Sequence, residues 1–506
     1  WGPPCRAMLT IPRRAACAIA ARHGSLAEAR RHASSAAASS AIEETLGRGF
    51  RSRLASLPQD GSCPRVAVVG RYSAEFTSAL RAARVSGAAA FPIDLPSCRG
   101  EALVQHLAEA QVDLTVAAGV VNQAEEKEVL QAARSLSASA ASIAALYGEG
   151  SVASPEGVEG ASSELPAFFW PSSATGSTAP RVAEVNNGAF QSRIRNAIHF
   201  WGFTETDKVL SLGLRADSPA AIVDALEAPL AVGASVTTPR LGPSVLNPAE
   251  HVWDMWAALR DETDATVLFL GQEWCWRLLD AHDELAAPAK AELSERWSKR
   301  PLRHTVAVAR PGTVLSKELS TRWTEVFKGC PLTWHFSCPE AGSLYTVAGI
   351  GDDAQESSSF KGQSAAGLEW RVANGELLVR SEGLFSGYRG RPRSTSEAFD
   401  QEDGFFQTGH RVAADAAADG RLLPEPVTYD HSLEQEAAKH LYEGPGHDPK
   451  GMPADWKVKR VAMRVYYYYK ANNRRFKIYS LKHNHANIVY DRKNVRRQQQ
   501  GRVTKN

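Results

Sequence analysis

The residues of this chain best suited to chemistry with another molecule lie near its C-terminal end, where cations are interleaved with aromatic rings. Lys457, Lys459, Arg460 and Arg464 lead into the run Val465-Tyr-Tyr-Tyr-Tyr-Lys470, and Arg474, Arg475 and Lys477 follow with Phe476 and Tyr479. Lys482, Arg492, Lys493, Arg496 and Arg497 complete the set. Lysine and arginine supply phosphate contacts and aromatic rings supply planes for unpaired bases, so this pattern points to RNA. The same composition also suits an arm over acidic protein surface or anionic lipid, or a solvated extension with no fixed structure. Residues 451–506 hold fifteen Lys and Arg against two acids, a net +13 within a chain whose total is +2, which leaves −11 on the preceding 450 residues. An acidic body with a basic tail calls for an acidic or nucleic-acid partner for the tail.

Other reactive residue types form no convincing constellation. His304, His335 and His410 are separated along the chain and no G-x-S-x-G nucleophile elbow accompanies them, so each reads as structural. Asp352-Asp353 and Glu125-Glu126 read as solvated faces, and Trp253, Trp256, Trp274 and Trp276, near helical spacing, read as core or subunit-contact residues. Seven cysteines are scattered with no C-x-x-C pair, which speaks against a disulfide framework or structural zinc and favours a reducing compartment. The sequence offers no metal site, and no apolar run reaches the roughly 18 to 20 residues of a membrane-spanning helix.

The elements that must position these residues alternate. Arg65-Val-Ala-Val-Val-Gly70 reads as a buried strand, residues 74–86 as a helix, residues 87–94 as a second strand, residues 100–110 as a helix and residues 113–118 as a third strand. A second series follows: a helix near residues 188–201, a strand at 208–212, a helix near 218–230, a strand at 266–270, a helix at 272–282 and a strand at 304–308. Such alternation predicts doubly wound, parallel α/β sheets. From Gly367 the pattern changes to short strands with turns at Asn374-Gly375 and Asp403-Gly404, and the tail around Ala471-Asn-Asn-Arg474 reads as a basic hairpin or extended arm. Within residues 1–40, Arg6, Arg13, Arg14, Arg22, Arg30 and Arg31 stand against the single acid Glu28 among many Ala and Ser, the composition of a mitochondrial transit peptide. The competing expectation is a solvated helical extension, with His23 to Ala37 as the first helix of the folded body.

Several segments resemble the adenylate-forming superfamily of acyl-CoA synthetases, luciferases and peptide-synthetase adenylation domains. Residues 64–423 follow its motif order, and Gly375-Glu-Leu-Leu-Val-Arg380, Gly387-Tyr388 and Asp403-Gly-Phe-Phe-Gln-Thr-Gly409 are similar to its G-E-[IL]-x-V-R, G-Y and D-G-W-F-x-T-G-D series. The resemblance implies a large N-terminal domain before a mobile lid, and activation of a carboxylate with ATP. Against that expectation, His410 stands where the family has the carboxylate that grips both ribose hydroxyls, and a histidine cannot accept two hydrogen bonds in its place. The phosphate loop T-S-G-T-T-G-x-P-K-G becomes Pro171-Ser-Ser-Ala-Thr-Gly-Ser-Thr-Ala-Pro-Arg-Val182, with Ser173 and Val182 at glycine positions and two residues inserted. Thr175, Gly176 and Arg181 survive, enough for weak anion binding. The Y-G-x-T-E segment reads Phe336-Ser-Cys-Pro-Glu340: Glu340 matches the magnesium-holding acid, while Pro339 replaces the phosphate-binding threonine and has neither hydroxyl nor N–H. The aromatic-histidine segment reads Gly213-Leu-Arg-Ala-Asp-Ser218, S-G-G-A-P reads Ala307-Val-Ala-Arg-Pro311, and after Gly420-Arg-Leu-Leu423 no lysine stands in the context of the family's lid.

The sequence therefore predicts an α/β, acyl-CoA-synthetase-like large N-terminal domain with a basic C-terminal extension. Residues 1–40 are a targeting or N-terminal extension, 41–165 and 166–350 are two doubly wound α/β subdomains, 351–426 is a β-rich subdomain, and 427–506 is the extension. The expected function is that of a pseudoenzyme without catalytic residues or cofactor, residing in the mitochondrial matrix as a structural subunit of the mitochondrial ribosome with its tail on rRNA. An accessory subunit of a respiratory-chain or ATP synthase complex, with the tail on protein and lipid, is the alternative from another class. An active ATP-dependent acyl-CoA synthetase is the third.

Overall fold

The computed structural model describes residues 36–57, 63–120, 122–136, 138–152, 162–172, 181–239, 248–261, 264–309, 317–349, 360–400, 402–412, 456–461, 464–471, 474–480 and 487–489. The chain divides into two units, one running to Leu423 and the other dominated by Pro424–Asn506.

In the first unit, β1 (Arg65–Gly70), β2 (Ala89–Asp94), β3 (Leu114–Ala117) and β4 (Ser139–Ser142) form a parallel series joined by helices. β1 and β2 are nearly all apolar and buried, as strands covered by helices on both faces must be. The Ala74–Val85 helix starts where Ser73 accepts a hydrogen bond from the Phe76 N–H, and Asn122 caps the Gln123–Ser135 helix through the Glu125 N–H. Each cap satisfies one of the donors that a helix start leaves unpaired. A further helix, Ala36–Ala55, packs here through Ile42, Leu46, Phe50 and Leu54. The expected first helix over His23 to Ala37 lies outside the described residues except for its last two positions, which open this helix. Residues 1–35, including the arginines of the targeting expectation, lie outside the described residues.

β5 (Pro166–Ser172) joins this sheet parallel to β2, and β6 (Arg181–Asn186) joins it antiparallel to β5. The strand order is β16-β6-β5-β2-β1-β3-β4, with β16 (Gly387–Tyr388) on the outer edge. The sheet thus reaches across the expected boundary at residue 166 and recruits a two-residue strand from beyond 351. Pairing partners that distant in sequence leave no mark on local periodicity.

The second sheet has the order β13-β12-β11-β10-β9-β7-β8. β7 (Lys208–Leu212), β8 (Ser235–Thr237), β9 (Val267–Gly271), β10 (His304–Ala309) and β11 (Leu332–Cys338) are parallel. β12 (Gly342–Gly349) and β13 (Phe360–Ser364) close the sheet antiparallel. β14 (Glu369–Ala373), β15 (Glu376–Arg380) and β17 (Phe406–Arg411) form a small antiparallel sheet, the β-rich part expected from residue 367.

Between the two large sheets lies the helix Asn187–Trp201, capped by Asn186 through the Ala189 N–H and ended by Gly202 at φ +59°. Its Phe190 packs in an aromatic group with Phe168 and Trp170 of β5, and the Arg84 guanidinium lies 4.1 Å from the Phe190 ring centroid. The segment Ala220–Glu227 is a π-helix, every residue of which is buried. Wide π turns frequently mark functional positions in proteins. Here the turn carries Asp224 into a buried network: its carboxylate accepts hydrogen bonds from Trp201 Nε1 and Ser343 Oγ, each at 2.9 Å.

In the second unit, β18 (Trp456–Val461), β19 (Arg464–Ala471), β20 (Arg474–Ser480) and β21 (Asn487–Val489) make an antiparallel sheet in sequential order. The hairpin expected around Ala471 to Arg474 is present, with those two residues paired across the turn.

Candidate functional site

Two strands of the first sheet and one turn of the second meet at a single carboxylate. Glu340 lies in the turn between β11 and β12 and is only 5% exposed. Its Oε1 accepts hydrogen bonds from Ser172 Oγ, at the end of β5, and from Tyr388 OH on β16 at 2.9 Å. Ser172 is also the register partner of Arg181, the first residue of β6, and the Arg181 guanidinium lies 5.2 Å from the Tyr388 ring centroid. Two of the four surviving sequence matches, Arg181 and Glu340, therefore meet around Tyr388. Thr175 and Gly176 lie outside the described residues. Burial, with the neighbouring Glu340 charge second, pushes the Tyr388 hydroxyl up, so it remains a hydrogen-bond donor to the carboxylate across the ordinary pH range. Ser172 and Tyr388 do not stand out in the sequence, although both sit inside the family-like motifs. A hydroxyl at the end of one strand and a Gly-Tyr pair two hundred residues later carry no signal that they share an acceptor.

The same turn is anchored from beneath. Arg193, on the Asn187–Trp201 helix, is 4% exposed, and its Nη2 donates to the backbone carbonyls of Pro339 at 3.0 Å and Glu340 at 2.8 Å. Its Nε donates to the Gly383 carbonyl at 2.7 Å, while Nη1 is buried without a hydrogen-bond partner among the described residues. Burial lowers the Arg193 pKa to about 10, so the guanidinium keeps its charge at neutral pH. Arg193, Asp224, Ser343 and Gly383 line one small cleft.

His410, on β17, faces the other end of the Phe336 to Glu340 segment. Its ring meets Phe336 and Tyr345 edge-on at 6.4 and 6.2 Å between centroids. The residue is 4% exposed, and Nδ1 has no hydrogen-bond partner among the described residues. Burial alone lowers its pKa to about 4, so the imidazole is neutral at pH 7. His304 and His335, separated in sequence, both pack edge-on against Trp201, with ring centroids 5.7 and 5.4 Å away. His335 Nε2 is 3.4 Å from Asp224. Nothing in the spacing of these histidines hints at the shared aromatic neighbour.

At the carboxyl ends of β2 and β7, Asp94 accepts a hydrogen bond from the Ala216 N–H at 3.1 Å. Burial, then the nearby Asp217, raises its pKa to about 6. Arg215 closes this group with a two-pronged hydrogen bond to Asp217 at 2.9 and 2.7 Å. An arginine–carboxylate pair thus fills the segment in which the family resemblance implies an aromatic-histidine pair. Of the Ala307 to Pro311 segment, Ala307 and Ala309 are buried in β10, and Arg310 and Pro311 lie outside the described residues. Trp256 stacks with Phe327 in the core and Trp253 is 39% exposed. Among the described residues no group of three or more His, Cys, Asp or Glu is placed to hold a metal ion, and no helix is long and apolar enough to cross a membrane.

Of the candidate RNA contacts, Lys457, Lys459 and Arg460 fall on β18, Arg464 and Lys470 on β19, and Arg474, Arg475 and Lys477 on β20. Lys482, Arg492, Lys493, Arg496 and Arg497 lie outside the described residues.

The sequence model of the AMP-binding enzyme family matches residues 52–389. The chain belongs to this family. Its fold is shared with solved structures of low identity. A malonyl-CoA ligase in a ternary product complex with methylmalonyl-CoA and AMP bound superposes with TM-score 0.58 at 21% identity, covering 84% of this chain and 85% of that one. Apo MatB from Rhodopseudomonas palustris gives 0.57 at 18% identity over 74% of this chain and 71% of the other. The O-succinylbenzoate coenzyme A synthetase MenE from Bacillus subtilis, in complex with AMP, gives 0.56 at 14% identity over 78% and 92%. No curated protein matches the chain. Membership of the AMP-binding family makes the protein acyl-CoA-synthetase-like in fold, an α/β body of the adenylate-forming type.

Proposed function

We propose that this chain is a non-catalytic member of the AMP-binding family that serves as a structural subunit of a large mitochondrial assembly, the mitochondrial ribosome, with its basic tail against rRNA. The observation that carries the loss of catalysis is His410: at the position that the family motif assigns to a ribose-gripping acid stands a neutral, buried imidazole among aromatic rings. It presents no pair of acceptors to a sugar. Pro339 adds to this reading, since it brings neither a hydroxyl nor an N–H to a phosphate and instead lends its carbonyl to Arg193. Glu340, the magnesium-type acid, is occupied by Ser172 and Tyr388. The assembly half of the proposal rests on the +13 charge of residues 451–506 and their interleaved tyrosines.

The test is sedimentation of gently lysed mitochondria. The protein should cofractionate with rRNA, leave those fractions after RNase treatment, and dissociate steeply as salt rises. Cofractionation with a respiratory-chain or ATP synthase complex, insensitive to RNase, would replace the ribosomal reading by that of an accessory subunit. One arrangement favours the third reading, an active synthetase: Arg181 and Glu340 are held together beside Tyr388. That reading requires carboxylate-dependent ATP turnover.

A further inference from the structure

The parallel part of the second sheet reverses its order in the middle. From β7 the chain crosses to β8 on one side, then returns past β7 to β9 and continues through β10 and β11 on the other. The reversal falls between β7 and β9, and an open α/β sheet receives ligands in the crevice outside the carboxyl ends of two such strands. Two glycines stand at those ends. Gly213 follows β7 with φ +56°, and Gly271 is the last residue of β9. A Cβ on Gly271 would lie 2.6 Å from the Gly213 carbonyl oxygen, so the two backbones touch at the mouth of the crevice. The helix Gln272–Glu284 starts at once after Gly271 and brings Trp274 to this point. A Cβ on Gly213 would lie 2.6 Å from Trp274 Cδ1 and 2.6 Å from Met255 Cε, closer than real Cβ contacts come. The indole therefore rests on the bare Gly213 backbone beside the fully buried Met255. Trp274 is itself only half-buried, and the Arg277 guanidinium carbon lies 4.9 Å from its ring centroid.

We infer that Trp274 is a built-in plug of this crevice, an indole of the protein's own standing where a planar aromatic ligand would lie. Three observations meet in it. The topology places the crevice between β7 and β9, and Trp274 is seated there. Glycine at position 213 leaves the backbone bare under the ring, the space that a side chain would take from any occupant. The Arg277 guanidinium near the ring supplies a cation–π attraction that an electron-rich aromatic guest would inherit. Trp256 and Trp323, by contrast, lie in the closed core, 4% and 0% exposed, where removal of the ring would leave a sealed void. Removal of the half-buried Trp274 ring would leave a slot that opens outward. This inference goes beyond the loss of ATP chemistry proposed above, which rests on His410 and concerns another ligand.

The experiment is urea unfolding of the full-length chain and of Trp274→Ala, each with and without indole. Indole should raise the midpoint of the variant as its concentration increases and leave the wild-type midpoint in place, since only the variant's folded state has room for the ring. Indole-3-acetamide should stabilise the variant to within a few-fold of indole, because an outward-opening slot lets the substituent reach solvent. Adding Arg277→Met to Trp274→Ala should weaken indole binding about 2- to 5-fold, the usual worth of a cation over a ring at an exposed site. The contact with Gly213 is read by a double-mutant cycle: Gly213→Ala should shift the midpoint less in Trp274→Ala than in the wild type, the strain of its positive φ being common to both backgrounds. Where Trp274→Ala does not fold, Trp274→Val carries the same ligand test. Indole bound as tightly by the wild type as by the variant, a folded variant that binds no indole or excludes indole-3-acetamide, or equal Gly213→Ala shifts in both backgrounds would overturn the plug and leave the His410 reading standing. Carboxylate-dependent ATP turnover with these results unchanged would overturn that reading alone.

Discussion

Replacing Arg193 by Met should lower the unfolding free energy by about 3 kcal/mol, seen as a fall in the urea midpoint with an unchanged slope. The side chain lies inside the protein and donates to three backbone carbonyls, those of Gly383, Pro339 and Glu340. The Glu340 carbonyl keeps a second donor, the Phe385 N–H at 2.7 Å, so the substitution bears mainly on the carbonyls of Gly383 and Pro339. A buried acceptor left without a partner costs about 1–3 kcal/mol, while Met retains much of the stem's packing. Lys at this position keeps the charge but cannot reproduce the planar fork that reaches all three oxygens, and it should rescue little. A decrease below about 1 kcal/mol would mean that the turn holding Glu340 is fixed by something other than this arginine.

A second large effect concerns acid. His410 has its pKa lowered to about 4 by burial, against an ordinary value near 6.5. The folded state therefore binds fewer protons than the unfolded state between these values, and stability must rise with pH through that window. Its neutral form contributes fully above about pH 6.5, and about 3 kcal/mol is lost as pH falls to about 4. His410→Phe keeps an aromatic ring beside Phe336 and Tyr345 and should remove that part of the slope. The comparison of wild type and variant by urea unfolding at pH 7 and pH 4.5 isolates it from the carboxylates, which titrate in both. His410→Asp, which restores the family's acid, should instead destabilise the protein at pH 7. It places a carboxylate against two aromatic rings, where the histidine Nδ1 already lacks a partner among the described residues. An identical acid slope in His410→Phe would show that the imidazole is solvated and the ribose position open to water.

What was legible in the sequence was what local pattern controls. The valine-rich run of β1, the helix after Ser73 and the strand ending at Asp94 all have the periodicity and caps that fix them within a few residues. The turn between Ala471 and Arg474 was visible for the same reason. The site was legible as an ordered series of motifs, which brought Arg181, Glu340 and His410 forward while leaving their neighbours unknown. Ser172, Tyr388 and Arg193 were missed because each acts through a partner more than forty residues distant, a relation set by the packing of two sheets. The boundary at residue 166 cut through a sheet because hydrophobic alternation states that a strand exists and is silent on which strand it pairs with. The π-helix at Ala220–Glu227 has an ordinary helical apolar pattern in sequence, so the wide turn that carries Asp224 could not be anticipated.

The central claim, that the AMP-binding fold has lost its ATP chemistry, is tested most directly by carboxylate-dependent exchange of labelled pyrophosphate into ATP. Purified full-length protein with magnesium and a panel of short, branched and aromatic carboxylates should give no exchange above the no-carboxylate blank. Exchange that depends on one carboxylate and disappears in Glu340→Ala, with that variant still folded, would contradict the claim and return the protein to the synthetases.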